Sequence, residues 1–336
     1  MIEIFTDYGI FLIKTITIVA AIILILSVII NAAQRQKDGD GELHIDNLSD
    51  SFRSVQKQMR LHLLTGKARK LAKKKDKKAK QPDPFEQHTF VIDFKGSLDA
   101  REVDSLRREV SAILAVADKT KDEVVVRLES PGGVVHGYGL AAAQLKRIRD
   151  AEIPLTVAVD KVAASGGYMM ACLANKIVAA PFAVVGSIGV LAQLPNFHRL
   201  LKKNNIDFEQ ITAGEYKRTL TVFGENTEKG REKFKEDIED IHDLFKSFVK
   251  EGRPQLDIER VATGEIWFGT RAKEMGLIDD IATSDDLLLE AAKNRDVLKV
   301  TYKPKTKLTD KLTHAAQSTI DRLVLDWVQR TRFWRF

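Results

Sequence analysis

The chain has 336 residues, 44% hydrophobic and 30% charged, which supplies a sizeable α/β core and excludes a fibrous or disordered protein. Its net charge of +6 is unevenly placed, because nine Lys or Arg and one acid fall between Lys67 and Lys80. The remainder is slightly acidic, so charge gives no reason to expect a nucleic-acid partner.

In chain order, the first informative stretch is residues 10–30. It is apolar apart from Lys14, Thr15, Thr17 and Ser27, and it has no proline. That length crosses a bilayer as a helix, so a single transmembrane anchor is predicted over residues 9–30. A cleaved signal peptide fits less well: the apolar run is long, and Glu3 and Asp7 stand where basic residues belong. No Lys or Arg precedes the span whereas Arg35 and Lys37 follow it, which by the positive-inside rule argues for a cytoplasmic C-terminal part. Residues 31–86 read as a polar, Lys-rich tether with helical periodicity from Leu48 to Leu64. A run of like charges is ordinarily solvated. Beside a membrane span, the expected partner of the Lys67–Lys80 run is anionic lipid. Pro82 and Pro84 mark the start of a compact domain predicted over residues 87–300. Residues 301–336 are expected to form a C-terminal helix (308–329) with an aromatic, basic tail.

From His88 onward the pattern alternates. Strands are predicted at Thr89–Phe94, Glu123–Leu128, Leu155–Val159, Lys176–Ala180, Ala183–Val190 and Phe208–Ile211. Helices are predicted at Asp99–Val116, Tyr138–Arg149, Tyr168–Ala174, Phe197–Lys203 and Thr227–Lys250. This is the signature of an α/β fold built from parallel βαβ units, with ligands expected at the carboxyl ends of the strands. The lone cysteine, Cys172, excludes an intrachain disulfide, and its apolar neighbours favour a buried thiol over a nucleophile.

Two loops at those strand ends carry the candidate chemistry. In Val162-Ala163-Ala164-Ser165-Gly166-Gly167-Tyr168, a serine stands between a buried strand and a helix start, where its hydroxyl is presented and nearby amides are free. A plain helix cap is the alternative role for Ser165. The second loop, Ser130-Pro131-Gly132-Gly133, follows the second strand. Paired glycines leave N–H groups open to a substrate oxygen, as an oxyanion site requires, although in isolation the string is an ordinary turn. Loops after neighbouring parallel strands converge, so Gly132 or Gly133 is expected to face the Gly166 amide across a bound carbonyl. A serine nucleophile also needs a proton acceptor. Of the seven histidines only His136 lies close to a glycine loop. A lysine serves equally if its pKa falls by several units. Lys217, preceded by Tyr216, follows the predicted strand Phe208–Ile211, but the pattern alone does not separate it from a solvated loop lysine.

Five stretches occur here in a familiar order: Ser130–Gly133, Ala163–Tyr168, Gly186–Val190, Gly214–Lys217 and Gly264–Asp279. Together they resemble the signal peptide peptidase A family of membrane serine proteases, in its SohB branch. The resemblance covers residues 88–295 by motif and the N-terminal region by layout. It implies a Clp protease/crotonase-like fold, a Ser165 nucleophile, a Lys217 general base, and a Ser187 hydroxyl bonded to the lysine amine. It further implies no metal or cofactor and a peptide or protein substrate. A homo-oligomeric ring is implied, a tetramer or octamer, in which the lysine can reach the serine of an adjacent subunit. The implied location is the bacterial inner membrane with a periplasmic catalytic domain, which opposes the flanking charges. The chain has no second copy of the domain found in long family members. Two other classes compete: a crotonase-type acyl-CoA enzyme, and a non-catalytic membrane scaffold.

Overall fold

The computed structural model describes residues 12, 14–19, 41–78 and 85–304. The chain divides into two compact units, residues 1–42 with 304–336, and residues 43–303. In the first, positions 14–19 are helical. The anchor predicted over residues 9–30 falls mostly, and the C-terminal helix predicted over 308–329 wholly, outside the described residues. Among the described residues no helix is long and apolar enough to cross a membrane.

The second unit is α/β with a mostly parallel sheet. Seven strands lie in the order β1 (Glu42–Asn47), β10 (Asp296–Lys303), β2 (His88–Lys95), β3 (Glu123–Glu129), β4 (Leu155–Val159), β6 (Lys176–Ala179) and β9 (Asp280–Ile281). From β10 to β9 every neighbouring pair is parallel. Strand residues point alternately to the two faces. Thus Phe90, Ile92 and Phe94 of β2 and Val124, Val126 and Leu128 of β3 enter the larger core, while Val91 and Val125 enter the smaller one. Both faces are covered, which is why these strands read as continuous apolar runs. The larger core is roofed by α3 (Val103–Leu114), α4 (Val135–Asp150), α5 (Gly166–Ala171) and α7 (Glu228–Gly252); the smaller by the start of α1 (Leu48–Leu63) and by α10 (Ser284–Ala291).

A second, three-stranded sheet has the order β5 (Val162–Ala164), β7 (Val184–Gly186), β8 (Ile266–Phe268). Strand β7 runs parallel to β5 and antiparallel to β8. A parallel bridge between Ser130 and Ala163 links it to the end of β3. The remaining helices are α2 (Gly66–Lys78), α6 (His198–Lys203), α8 (Ile258–Val261) and α9 (Gly269–Glu274).

Two sequence expectations differ from this architecture. The compact unit reaches back to residue 43, ahead of the boundary placed at residue 87. Strand β1 borders β10, and buried Ser49 of α1 receives the Val297 N–H at 2.9 Å, so part of the tether is built into the sheet. The strand expected at Phe208–Ile211 is irregular chain with Ile211 95% exposed. Its β-branched and aromatic content has no neighbouring strand to exchange hydrogen bonds with; Phe208 instead packs on Phe223, ring centroids 5.8 Å apart.

Helix α3 carries a buried carboxylate, Glu109, that accepts the Tyr302 N–H at 2.8 Å. Burial raises its pKa to about 7, despite that hydrogen bond. A carboxyl raised in the folded state contributes stability at low pH that is lost as pH rises through the folded pKa. Glu109→Gln is therefore expected to raise the melting temperature at pH 8 by a few °C, on the order of 1–2 kcal/mol, with little change at pH 5. Calorimetry at the two pH values checks it; the same difference between pH 5 and 8 in both proteins would refute it.

Candidate active site

Three strand ends lie next to one another, and each is followed by a sequence-predicted residue. Strand β3 runs into Ser130–Gly133, β5 into Ser165, and β7 into Ser187. The register Ala164↔Gly186 sets the two serines side by side on adjacent parallel strands. Both have left-handed backbones, φ 52° at Ser165 and 51° at Ser187, uncommon for residues with a Cβ and characteristic of turns that over-determine a functional side chain.

The Ser165 backbone is held from both sides. Its N–H donates to Gly186 O at 2.8 Å, and its carbonyl accepts the Met169 N–H at 2.9 Å in the first turn of α5. Its hydroxyl makes no capping bond to that helix, so the plain-cap role is not the one it has here. The side chain is half-buried. As the first residue of α5, Gly166 has no carbonyl one turn back, so its N–H is left for another acceptor.

Gly132, at φ 90°, approaches so closely that a Cβ there would lie 2.7 Å from Ser165 Cβ and 2.8 Å from the Gly166 nitrogen. The two predicted loops do converge. The Gly132 N–H, however, donates to Ser130 Oγ at 3.1 Å, closing a tight serine turn around Pro131. Among the described residues the amides of Gly133 and Gly166 have no partner.

Behind Ser187, its N–H donates to Glu265 O at 2.6 Å and Gly264 N–H donates to Ile188 O at 3.1 Å. The Trp267 ring fills the space where a Gly186 Cβ would stand, 2.6 Å from it. The Gly264–Asp279 stretch, which carried no assigned chemistry in the sequence, thus supports the strand that ends in Ser187.

Lys217 makes no hydrogen bond to Ser165 among the described residues. It is exposed, on irregular chain between α6 and α7, and among the described residues no hydrogen bond or ion pair engages its amine. The loop is clamped to the start of α7: Glu215 pairs with Lys229 at 2.5 Å, and the half-exposed Tyr216 ring has the Lys229 and Lys233 amines 6.0 and 5.8 Å from its centroid. Lys217 lines an open cavity of about 730 Å³ with Leu194, Phe208, Ile211, Leu220 and Phe223. His136 is exposed in the first turn of α4, with no hydrogen bond to Ser165. Cys172 is fully buried and its thiol is pushed up to about 12 by that burial, which keeps it protonated and unreactive, as its neighbours predicted. Within one chain the structure therefore brings together Ser165, Gly132, Gly133, Gly166 and Ser187, and leaves Lys217 and Tyr216 on a separate exposed loop.

Two family models match in tandem: the one described as Peptidase family S49 N-terminal over residues 3–145, and Peptidase family S49 over residues 147–298. A probable protease SohB of Haemophilus influenzae is 49% identical over 338 residues, covering 96% of this chain and 96% of that protein. A putative protease SohB of Buchnera aphidicola subsp. Baizongia pistaciae is 43% identical over 345 residues, 97% of this chain and 99% of that protein. A solved structure of a 1510-N membrane-bound stomatin-specific protease in complex with a substrate peptide has 14% identity and a TM-score of 0.43, covering 69% of this chain and 98% of that one.

Proposed function

The chain belongs to peptidase family S49, in its SohB branch, and is a serine peptidase; on that premise we propose a membrane-anchored endopeptidase with Ser165 as nucleophile and Lys217 as general base. The observation that carries this reading is the Ser165 turn: a left-handed serine between strand and helix, with a free amide after it and a glycine loop pressed against it. Its substrates are hydrophobic peptides or membrane and exported proteins.

In the proposed cycle neutral Lys217 takes the proton from Ser165 Oγ as that oxygen attacks a peptide carbonyl carbon. The developing oxyanion is held by the Gly166 N–H and, from the Gly132–Gly133 loop, by the Gly133 N–H, since the Gly132 N–H is bonded to Ser130 Oγ; each donor contributes about 3 kcal/mol in comparable sites. Protonated Lys217 gives its proton to the departing amine nitrogen as the C–N bond breaks. Water then attacks the ester on Ser165, losing its proton to Lys217; the C–O bond to Ser165 breaks as Lys217 returns that proton to Oγ, and the acid product leaves. The cycle draws on no metal or cofactor. Ser187, beside Ser165 at the strand ends, is the hydroxyl proposed to orient the lysine amine.

Because Lys217 is exposed and unbonded to Ser165 within one chain, we assign its delivery to a neighbouring copy in a homo-oligomeric ring, a tetramer or octamer. The surface around it supports that role: Ile211, which lines the same open cavity as Lys217, is 95% exposed, and Leu194, Phe208 and Phe223 on that cavity are also exposed apolar residues. The family resemblance, against the lean of Arg35 and Lys37 after the span, favours a ring on the bacterial inner membrane with the catalytic domain on the periplasmic side. The exposed ridge of Val55, Met59 and Leu63 on α1, spaced one turn apart and flanked by Lys57 and Arg60, suits contact with anionic lipid. Flotation with anionic vesicles but not neutral ones tests that contact. The reading as a whole is tested by treating the full-length protein with a fluorophosphonate and mapping the adduct by mass spectrometry. Modification at Ser165 is expected; an adduct at another serine, or none, would refute it.

A further inference from the structure

Behind the Ser165 turn lies a directed chain of hydrogen bonds, buried at Ser130 and Tyr138. The Gly132 N–H donates to Ser130 Oγ at 3.1 Å, Ser130 Oγ lies 2.5 Å from the Tyr138 hydroxyl, and that hydroxyl donates to Ser97 O at 2.9 Å. Ser130 and Tyr138 are both fully buried. The direction follows from counting protons. A carbonyl only accepts, so the single phenolic hydrogen of Tyr138 goes to Ser97 O, and Ser130 must donate its own hydrogen to Tyr138. Ser130 Oγ is then free to accept from Gly132. Burial pushes the Tyr138 phenol up, so it keeps its proton throughout the physiological range. Chains polarised in one direction strengthen each member and fix the hydroxyl rotors.

The other end of the same side chain touches the other half of the site. A Cβ at Gly166 would lie 2.3 Å from Tyr138 Cγ, which means the helix carrying the free amide is seated directly on the ring. At Gly96, a Cβ would lie 2.3 Å from the Tyr138 hydroxyl, so the loop after β2 is also shaped to it. A core tyrosine needs one partner for its hydroxyl and some apolar packing. Tyr138 instead joins the loop after β2, the loop after β3 and the first residue of α5.

We propose that Tyr138 is a positioning residue for peptide hydrolysis, its ring seating Gly166 and its hydroxyl, through Ser130, seating Gly132, so that one side chain sets both walls of the oxyanion site relative to Ser165. This rests on the assignment of Ser165 as nucleophile. The phenol does not touch the substrate. It acts by holding donors in place before charge develops, the condition under which such donors are effective.

Tyr138→Phe keeps the ring and removes one oxygen. In the full-length protein it is expected to lower kcat about 10–100-fold while leaving KM within about twofold, because the donors matter more to the transition state than to bound substrate. Affinity for a peptide boronate, which mimics the tetrahedral species, should fall by a similar factor. Ser130→Ala, which interrupts the chain one bond nearer to Gly132, should show the same split and serves if the first variant folds poorly. A purely structural role would lower the melting temperature and leave kcat per folded molecule and boronate affinity at wild-type values, and that result would overturn the proposal. Failure of a fluorophosphonate to label Ser165 in the wild-type protein would overturn the nucleophile assignment itself, so the two failures are distinguishable.

Discussion

Replacing Ser165 with alanine is expected to abolish peptide hydrolysis, a loss on the order of 10⁴-fold or more in kcat, with the far-UV circular dichroism spectrum unchanged. The two halves of that expectation come from different atoms. Attack requires the hydroxyl, for which alanine offers no substitute. Folding depends on the backbone of residue 165, whose N–H and carbonyl are bonded to Gly186 and Met169, and these bonds survive the change. The hydroxyl caps nothing in α5, so its removal strands no partner. Undiminished turnover in a purified, verified Ser165→Ala preparation would eliminate this serine as nucleophile.

The second large effect belongs to Lys217. Lys217→Ala is expected to lower kcat about 10³-fold or more, and Lys217→Arg to be as inactive, because a guanidinium cannot give up its proton to become a base. Stability should be unaffected, since the exposed amine engages no partner among the described residues. Both variants should still bind substrate. Mixing Ser165→Ala with Lys217→Ala then reads the geometry: in an assembly that pairs the lysine of one copy with the serine of another, some interfaces carry two intact groups and activity returns. A dyad completed inside each chain gives no recovery. Full activity in the lysine variants would move the base to His136 or another group.

Much of the fold was legible because it depends on local pattern. Alternating burial in Phe90–Phe94 and Val124–Leu128 follows from period-two side-chain direction, and the strand-to-helix turn at Ser165 follows from an apolar run meeting small residues. The convergence of Gly132 on Ser165 was also predictable, since loops after parallel neighbours share one edge. What was not legible depends on distant partners. Residues 42–47 are polar enough to read as tether, and only their place beside β10 makes them a strand. The Phe208–Ile211 stretch has strand-like residues and no strand to pair with. Tyr138 looks like an ordinary residue of an amphipathic helix; its importance appears once Ser97 and Ser130, from two loops, and Gly166, from the start of α5, are brought to it. The Ser130 to Tyr138 spacing gave no signal of that kind. Lys217 and Ser187 were singled out by resemblance alone, and of the two only Ser187 is brought beside Ser165 within one chain.

The proposed completion of the Ser165 site by Lys217 of another copy has a consequence for the cell. A solitary, newly made polypeptide would carry an alcohol with no group to activate it, and so could not digest its neighbours while still being synthesised and inserted. On that proposal, destructive power would be switched on by the association of copies.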